Sequence, residues 1–312
     1  MSNGTGKIEI IKPFSDAFEL MSNMLFKPFD LKKWFVIGFA AFLSGHFSGM
    51  NLPLGNWGST QTERSLPSPD FDQWKPWLPL LIAIFVVAIL LFILVVTWLK
   101  ARGNFIFTDC IARNRAAIAV PWREYRREGN SYFLFLLLVG FGAMSIFAAI
   151  ALGGFAIGLF SHSNHDPMTP FLLIFLILFL MVWIAFAFVF GVISYFMVPV
   201  MYVRRCRAGE AFRQVAGLLF ENAGSFILFC LFGICLLIGA AIVSGLATCF
   251  TCCLAALPYL GSVIMLPVFV CLRAYGLFFI RQFGADYDVW SVVAPPVATA
   301  IAEPPTPPPL PS

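Results

Sequence analysis

The sequence predicts an all-α fold, a polytopic membrane helix bundle of about six transmembrane helices with three cytoplasmic interfacial amphipathic helices. Three observations lead to this prediction. Of the 312 residues, 60% are hydrophobic and only 12% are charged, whereas a soluble domain carries roughly 25% charged residues. Apolar runs recur along the chain, and several reach the length that crosses a bilayer, about 20 residues. Lysine and arginine are concentrated in alternate connections between these runs.

Six apolar segments are predicted to span the membrane. The second, LPLLIAIFVVAILLFILVVTWL, is the clearest because it contains no charged residue and has the required length. The third and fourth are longer than a bilayer requires, so they are expected to tilt, bend or protrude. The fifth and sixth form a hairpin, since no charged residue occurs between Glu221 and Arg273. The predicted spans are residues 34–50, 78–99, 131–160, 171–202, 225–247 and 257–280.

The distribution of basic residues predicts the orientation of the chain. Eighteen of the 20 Lys and Arg residues fall on one side of the six-span arrangement, and only Arg64 and Lys75 fall on the other. Connections rich in Lys and Arg stay in the cytoplasm, so both termini are predicted to be cytoplasmic, in a bacterial inner membrane. Residues 1–30 contain no early apolar segment like that of a cleaved signal peptide.

Three segments beside predicted spans show apolar residues at helical spacing, within residues 14–25, 105–111 and 208–219. This pattern is typical of helices that lie in the membrane interface. The middle segment belongs to a basic stretch between Lys100 and Arg127, and Pro121 is expected to end its helix. Each segment leads towards a span, which predicts three weak repeats. Unrelated segments meeting the same demands at a membrane surface are the alternative.

The composition divides the chain into two parts. Residues 1–290 are predicted to form a single transmembrane helical domain. Residues 291–312 are predicted to be a disordered, Pro-rich cytoplasmic tail, because eight prolines lie between Pro295 and Ser312. Such a density of proline is incompatible with a helix or a packed core.

Arg273 is the candidate site residue, because it is the charge embedded in the apolar stretch VCLRAYGLFFIRQF. An ionisable residue within a membrane segment is a functional hypothesis by default. Arg273 is therefore a candidate contact for a lipid headgroup or another anion. The alternative is a side chain that extends to the membrane surface without a specific ligand. In the same segment, Pro258 and Pro267 are expected to kink or break the sixth span.

Two clusters could in principle bind a metal, but neither is predicted to do so. Cys249, Cys252 and Cys253 lack a second cluster nearby, so packing is favoured over a disulfide or a metal site. His162, His165 and Asp166 lie in a short polar loop whose composition follows from its exposed position. We therefore expect no metal and no cofactor.

Several segments resemble a known family. They are RGNFIFTDCIARNRA with the following PW and GNS, VPVMYVRR with GEAF, and LPYLGSVIMLPVFVCLRAYGLFFIRQFGADYD. They are similar to an uncharacterised family of bacterial integral membrane proteins, a domain of unknown function. That family is more distantly similar to the membrane domain of some glycerophosphodiester phosphodiesterases. The resemblance covers residues 12–290 and implies a multi-span membrane protein, with no catalytic residues to carry over.

The chemistry of the sequence predicts a protein that is not an enzyme. Glycine loops for phosphate, HExxH pairs and strand-elbow serines are not found. We expect a non-enzymatic integral membrane protein that acts in membrane assembly, partner binding or lipid organisation. A transporter or channel for a lipid or other apolar substrate is the alternative. The expected partners are membrane lipids and either another membrane protein or further copies of the chain. Nucleic acid is not expected, since the arginines are spread over membrane-proximal loops.

Overall fold

The computed structural model describes residues 8–45, 77–160, 168–251 and 258–293, and within these ranges it confirms the prediction of an all-α fold. Among the described residues, a 3-10 turn at Ala285–Tyr287 follows the last α-helix. The α-helices are α1 Ile11–Phe26, α2 Leu31–Leu43, α3 Leu78–Ala112, α4 Ala119–Glu124, α5 Arg126–Phe160, α6 Met168–Arg204, α7 Ala208–Glu221, α8 Ala223–Phe250, α9 Pro258–Ile264 and α10 Leu266–Arg281.

Four of the described helices, α3, α5, α6 and α8, are long and apolar enough to cross a membrane. They contain most or all of the second to fifth predicted spans. Within the most apolar stretch of each helix, between 0% and 11% of the residues are buried inside the chain. The four helices therefore present their apolar side chains outwards, as helices do when lipid or another apolar surface surrounds them.

The first and sixth predicted spans have a different form. Helix α2 has 13 residues, which corresponds to about 20 Å and is shorter than the hydrocarbon layer. The segment of the sixth span is divided at Met265 into α9 and α10, and Pro267 occupies the first turn of α10. Both α2 and α10 bury residues against the rest of the chain. The described residues thus contain four long helices, and the count of six spans stays a prediction.

The three segments with amphipathic patterns all lie in helices, but one of them differs from its prediction. Helices α1 and α7 are separate, and each buries one face, through Met21 and Leu25 in α1 and Val215 in α7. The segment 105–111 is not a separate interfacial helix, because α3 continues through it without a break. Its residues are buried in the protein core, so its apolar pattern reflects packing within the chain. Helix α3 also ends at Ala112, well before Pro121.

The core lies at one end of the four long helices. It is formed by α1, α2, α7, α10, the last third of α3, the start of α5, the last part of α6 and the start of α8. Aromatic rings fill much of it: the Phe229 ring centroid lies 4.4 Å from that of Phe279 and 4.8 Å from that of Tyr275. We call this region the packed end, and it also holds most of the described charged side chains.

The first and last described helices pack together. Helix α1 contacts α10 more extensively than any other pair of described elements makes contact. Just outside them, the Glu9 N–H donates to Gln282 Oε1 at 2.8 Å, and Gln282 Nε2 donates to the Glu9 carbonyl at 2.9 Å. The two ends of the described chain are therefore fixed beside each other.

Glycine permits two close helix crossings in the packed end. A Cβ atom at Gly103 of α3 would overlap the Leu43 carbonyl and the Ser44 nitrogen at the end of α2. A Cβ atom at Gly276 of α10 would overlap the ring and hydroxyl of Tyr195 on α6. The first contact is to backbone, which cannot move aside as a flexible side chain can.

We expect Gly103→Ala to lower the free energy of unfolding by about 1–3 kcal/mol, the usual range for an overpacked core. The measurement is unfolding by sodium dodecyl sulfate in mixed micelles. Gly217→Ala is the matched control, because a Cβ atom at Gly217 of α7 meets no atom within 4 Å. The control should be neutral or slightly stabilising, since Ala favours a helix. Equal effects at the two positions would contradict the close crossing.

Candidate functional site

Arg273 lies inside the packed end, where α10 crosses α3 and α6. Its side chain is 4% exposed. Guanidinium Nη2 donates to Thr108 Oγ1 at 3.0 Å, and Nη1 lies 3.5 Å from the Tyr195 carbonyl. The guanidinium carbon also lies 4.9 Å from the centroid of the Tyr195 ring, within the range of a cation–π contact. Gly276 leaves room for that ring because it has no Cβ atom.

The charge of Arg273 has no ionised partner in the part of the chain that the structure describes. No described carboxylate lies within 4.0 Å of it, and its Nε atom has no hydrogen-bond acceptor there. A buried charge without a counterion costs on the order of several kcal/mol, and the hydroxyl, the carbonyl and the ring offset only part of that cost. The described groups around the Arg273 side chain enclose it. Its contact with a lipid headgroup or another anion stays a prediction.

Asp109, near the end of α3, is the most enclosed carboxylate of the packed end, with a side chain that is 0% exposed. Arg113 Nε lies 3.1 Å from Oδ1, and Arg115 Nη2 lies 2.8 Å from Oδ2. The hydroxyl of Tyr202, on α6, donates to Oδ1 at 3.0 Å. Arg115 Nε also donates to Oδ2 at 2.9 Å, so two arginines and one hydroxyl surround this carboxylate.

Glu124 extends the network from α3 to α6. Its Oε1 atom lies 3.3 Å from Arg113 Nη2 and makes a short ion pair with Arg205 Nη2. The Arg205 guanidinium carbon lies 3.8 Å from the centroid of the Tyr125 ring. The Tyr125 ring in turn stacks on that of Tyr202, with centroids 4.7 Å apart. The connection after α3, the short helix α4 and the end of α6 are thus held together by alternating charges and rings.

Two pKa shifts follow from this arrangement. The hydrogen bond from Arg113 to the Tyr202 hydroxyl raises the pKa of the Arg113 guanidinium, so Arg113 stays charged. Burial raises the pKa of the Tyr125 phenol, so it stays neutral. With Glu128 close to Arg205, at 3.8 Å between Oε1 and Nη1, three carboxylates face three guanidinium groups. The network neutralises itself, which is the behaviour of a structural element.

A second buried arginine is held by aromatic rings. Arg102, on α3, donates through Nη2 to Asn130 Oδ1 at 2.8 Å. Its guanidinium carbon lies 4.5 Å from the ring centroid of Trp98 and 4.9 Å from that of Trp122. Gly129 lies directly against the Arg102 side chain, where a Cβ atom would be tight. The arrangement joins α3 to the start of α5, so Trp98 serves packing within the chain.

The sequence motifs therefore converge in space. The stretch RGNFIFTDCIARNRA provides Arg102, Asp109 and Arg113, and VPVMYVRR provides Tyr202 and Arg205. The sequence motifs pointed to these segments, but the central role of Asp109 was missed. The available signal was a carboxylate within a basic stretch, followed by arginines four and six positions later.

The other sequence candidates are not brought into this site. Cys249 has a free, exposed thiol at the end of α8. Most of the predicted tail lies outside the described residues, and so do five of the candidate residues, Cys252, Cys253, His162, His165 and Asp166. Across the described ranges, no group of three or more His, Cys, Asp or Glu side chains is arranged to hold a metal ion.

Comparisons with known proteins identify a family model, DUF7544, described as a family of unknown function, that matches residues 8–301. No curated protein and no solved structure matches significantly. The match extends over all the residues of the charged network. The bacterial origin and the more distant similarity to the membrane domain of glycerophosphodiester phosphodiesterases stay predictions.

We expect Asp109→Asn to lower the free energy of unfolding by about 3–5 kcal/mol, because it leaves two arginines without their shared counterion. Unfolding in mixed micelles measures this loss. Asp286→Asn is the control, since Asp286 pairs with Arg204 at 2.7 Å but its side chain is 70% exposed. The control should cost no more than about 1 kcal/mol. Similar losses in both variants would show that the contribution of Asp109 to the free energy of unfolding does not depend on its burial.

Arg273→Met is expected to leave the free energy of unfolding within about 1 kcal/mol of the wild type, because it removes a buried charge that lacks a described counterion. Arg115→Met is the comparison, since it removes one of the cations that neutralise Asp109 and should cost more. A loss in Arg273→Met as large as that in Arg115→Met would contradict this expectation. It would indicate an anion outside the described residues.

Proposed function

The chain belongs to the DUF7544 family, whose function is unknown, and from that premise we propose that it is a non-enzymatic integral membrane protein. It assembles with other membrane proteins through its long apolar helices. A second copy of the chain is included among these partners. The observation that carries the proposal is the exposure of α3, α5, α6 and α8. At least 89% of the most apolar stretch of each helix lies outside the protein core.

Small residues on these helices support helix association. Gly142 in α5, Gly191 in α6 and Gly239 and Gly245 in α8 have no atom of the described chain within 4 Å of an added Cβ. Glycine allows the backbones of two membrane helices to approach closely. Ala241 and Gly245 are four residues apart and therefore lie on one face of α8. This face is a suitable surface for a helix of a partner.

The charged network supports a role without catalysis. The carboxylates of Asp109 and Glu124 are paired with guanidinium groups, so they are occupied by structural contacts. In the proposed arrangement the packed end lies at the cytoplasmic side of a bacterial inner membrane, with both termini in the cytoplasm. This placement follows from the excess of Lys and Arg there. Six spans, with α2 and α9–α10 as the first and last, belong to the same proposal.

The transport alternative is less well supported by the geometry. A path for an apolar substrate would need helices that shield it from the bilayer. The apolar stretches of α3 and α5 are 0% buried, so in a single chain they do not enclose such a path. Assembly of several chains could create one, and a partner is required in either case.

The test is purification of the full chain in a detergent-free polymer disc that retains native lipids, followed by mass spectrometry of everything that copurifies. The proposal expects a stoichiometric membrane protein or a defined oligomer of the chain. A monomer that retains only lipid or a metabolite would overturn the assembly role and favour lipid handling.

A substitution in α8 locates the contact. We expect Gly245→Leu to reduce the associated fraction, because the larger side chain prevents close approach of a partner helix. Leu246→Ile is the control, since it changes shape but not size at the next position of the same helix. Sedimentation in lipid discs or micelles measures the associated fraction. Unchanged association in Gly245→Leu would exclude this face.

A further inference from the structure

A polar cavity of about 280 Å³ borders the charged network, with which it shares Glu128 and Arg205, and lies between the start of α5 and the start of α7. Its lining includes three arginines, two glutamates and a serine, and the six are Arg127, Glu128, Ser131, Arg205, Arg207 and Glu210. Ser131 Oγ accepts the N–H of Ala208 at 3.1 Å, which joins the two walls. A cavity of this size suits a small polar group rather than a drug-sized ligand.

Two of the three arginines are available to a ligand. Arg205 already bonds Glu124 and covers the Tyr125 ring. Arg127 and Arg207 are exposed, and no described carboxylate lies within 4.0 Å of either. A pair of guanidinium groups in one cavity is well suited to a phosphate, because each can donate two parallel hydrogen bonds to its oxygens.

Glu128 adds a negatively charged group to the cavity beside these arginines. It is 7% exposed, and its Oε2 atom has no hydrogen-bond donor within the described chain. A buried carboxylate oxygen without a donor is unfavourable, and a ligand that donates a hydrogen bond would remove that cost. Glu210 adds a second, exposed carboxylate to the same lining. The cavity therefore combines cationic groups for a phosphate with anionic groups for a protonated amine.

The position of the cavity matches the depth of lipid headgroups. Ser131 immediately precedes the apolar sequence YFLFLLL of α5, and Arg205 immediately follows the end of α6. Helix α7 leads directly into α8, whose apolar sequence begins within one turn. Charged residues at the ends of membrane helices lie at the level of the phosphates. The proposal thus depends on the chain lying in a membrane, and not on whether its helices bind a partner.

We infer that this cavity binds a phosphate ester carrying a primary amine, the phosphoethanolamine group. The phosphate contacts Arg127 and Arg207, and the ammonium donates to Glu128. A choline headgroup fits less well, because its quaternary nitrogen has no N–H to donate. A glycerol headgroup lacks the cation. The same chemistry occurs in a phospholipid headgroup and in the soluble ester, and the experiment separates the two sources.

The experiment is native mass spectrometry of the detergent-solubilised full chain, titrated separately with dioleoyl phosphatidylethanolamine, phosphatidylcholine and phosphatidylglycerol. We expect the dissociation constant for the ethanolamine lipid to be about tenfold lower than for the choline lipid. Arg207→Gln, at an exposed position, should weaken binding of the ethanolamine and glycerol lipids alike. Glu128→Gln should remove the preference for ethanolamine over glycerol. Arg123→Gln is the control, because Arg123 is exposed and nearby but does not line the cavity.

Soluble phosphoethanolamine in the same titration distinguishes the sources. Displacement of the lipid by the soluble ester would assign the site to the ester, and resistance to displacement would assign it to the lipid. Equal affinity of the wild type for the ethanolamine and choline lipids would overturn the inference. Undiminished binding of the ethanolamine lipid in Arg207→Gln would overturn it too, and this second criterion does not depend on a buried substitution.

Discussion

The burial of one carboxylate, that of Asp109, is the constraint on which the packed end depends. A carboxylate removed from water must be matched by cations and hydrogen-bond donors, and these come from different parts of the chain. Arg113 and Arg115 lie beyond the end of α3, and Tyr202 lies on α6. To bring them together, the chain must turn sharply after Ala112, and Asn114 adopts a φ of 48° there. The positions of α4, the start of α5 and the end of α6 follow from the same set of contacts.

The two ends of the long helices are built on different physical principles. At the packed end, apolar burial, ring stacking and ion pairs all occur within the chain, so this part is stabilised as a soluble domain is. Along the rest of α3, α5, α6 and α8, at most 11% of the residues of the most apolar stretch are buried inside the chain. In the proposed membrane setting, lipid is as apolar as the side chains it covers. Burial of these side chains against another helix therefore gains little hydrophobic free energy, and close backbone approach at glycine decides which helices associate.

Sequence patterns predicted the four long apolar helices α3, α5, α6 and α8 well, because an uncharged apolar run of bilayer length is a strong pattern. They were less informative about which surface buries a helix, because burial within the protein and burial in lipid both require the same spacing of apolar residues. The segment 105–111 is the clearest example, since its apolar face is equally suited to a membrane interface and to a core. Arg273 was identified because a charge in an apolar run is conspicuous. Asp109 was not, because its partners lie in a loop and on a helix far along the chain, and periodicity cannot show such contacts.

The packing of α1 against α10 has a consequence for the order of biosynthesis. The ribosome makes α1 well before α10, so the most extensive pair among the described helices joins segments far apart in sequence. Loop closure over that distance is slow, and in the proposed membrane setting α1 must keep its apolar face covered while the intervening helices enter the bilayer. A membrane surface can cover it during that interval. The amphipathic pattern of α1 would then serve two successive environments, first the headgroup layer and afterwards the surface of α10.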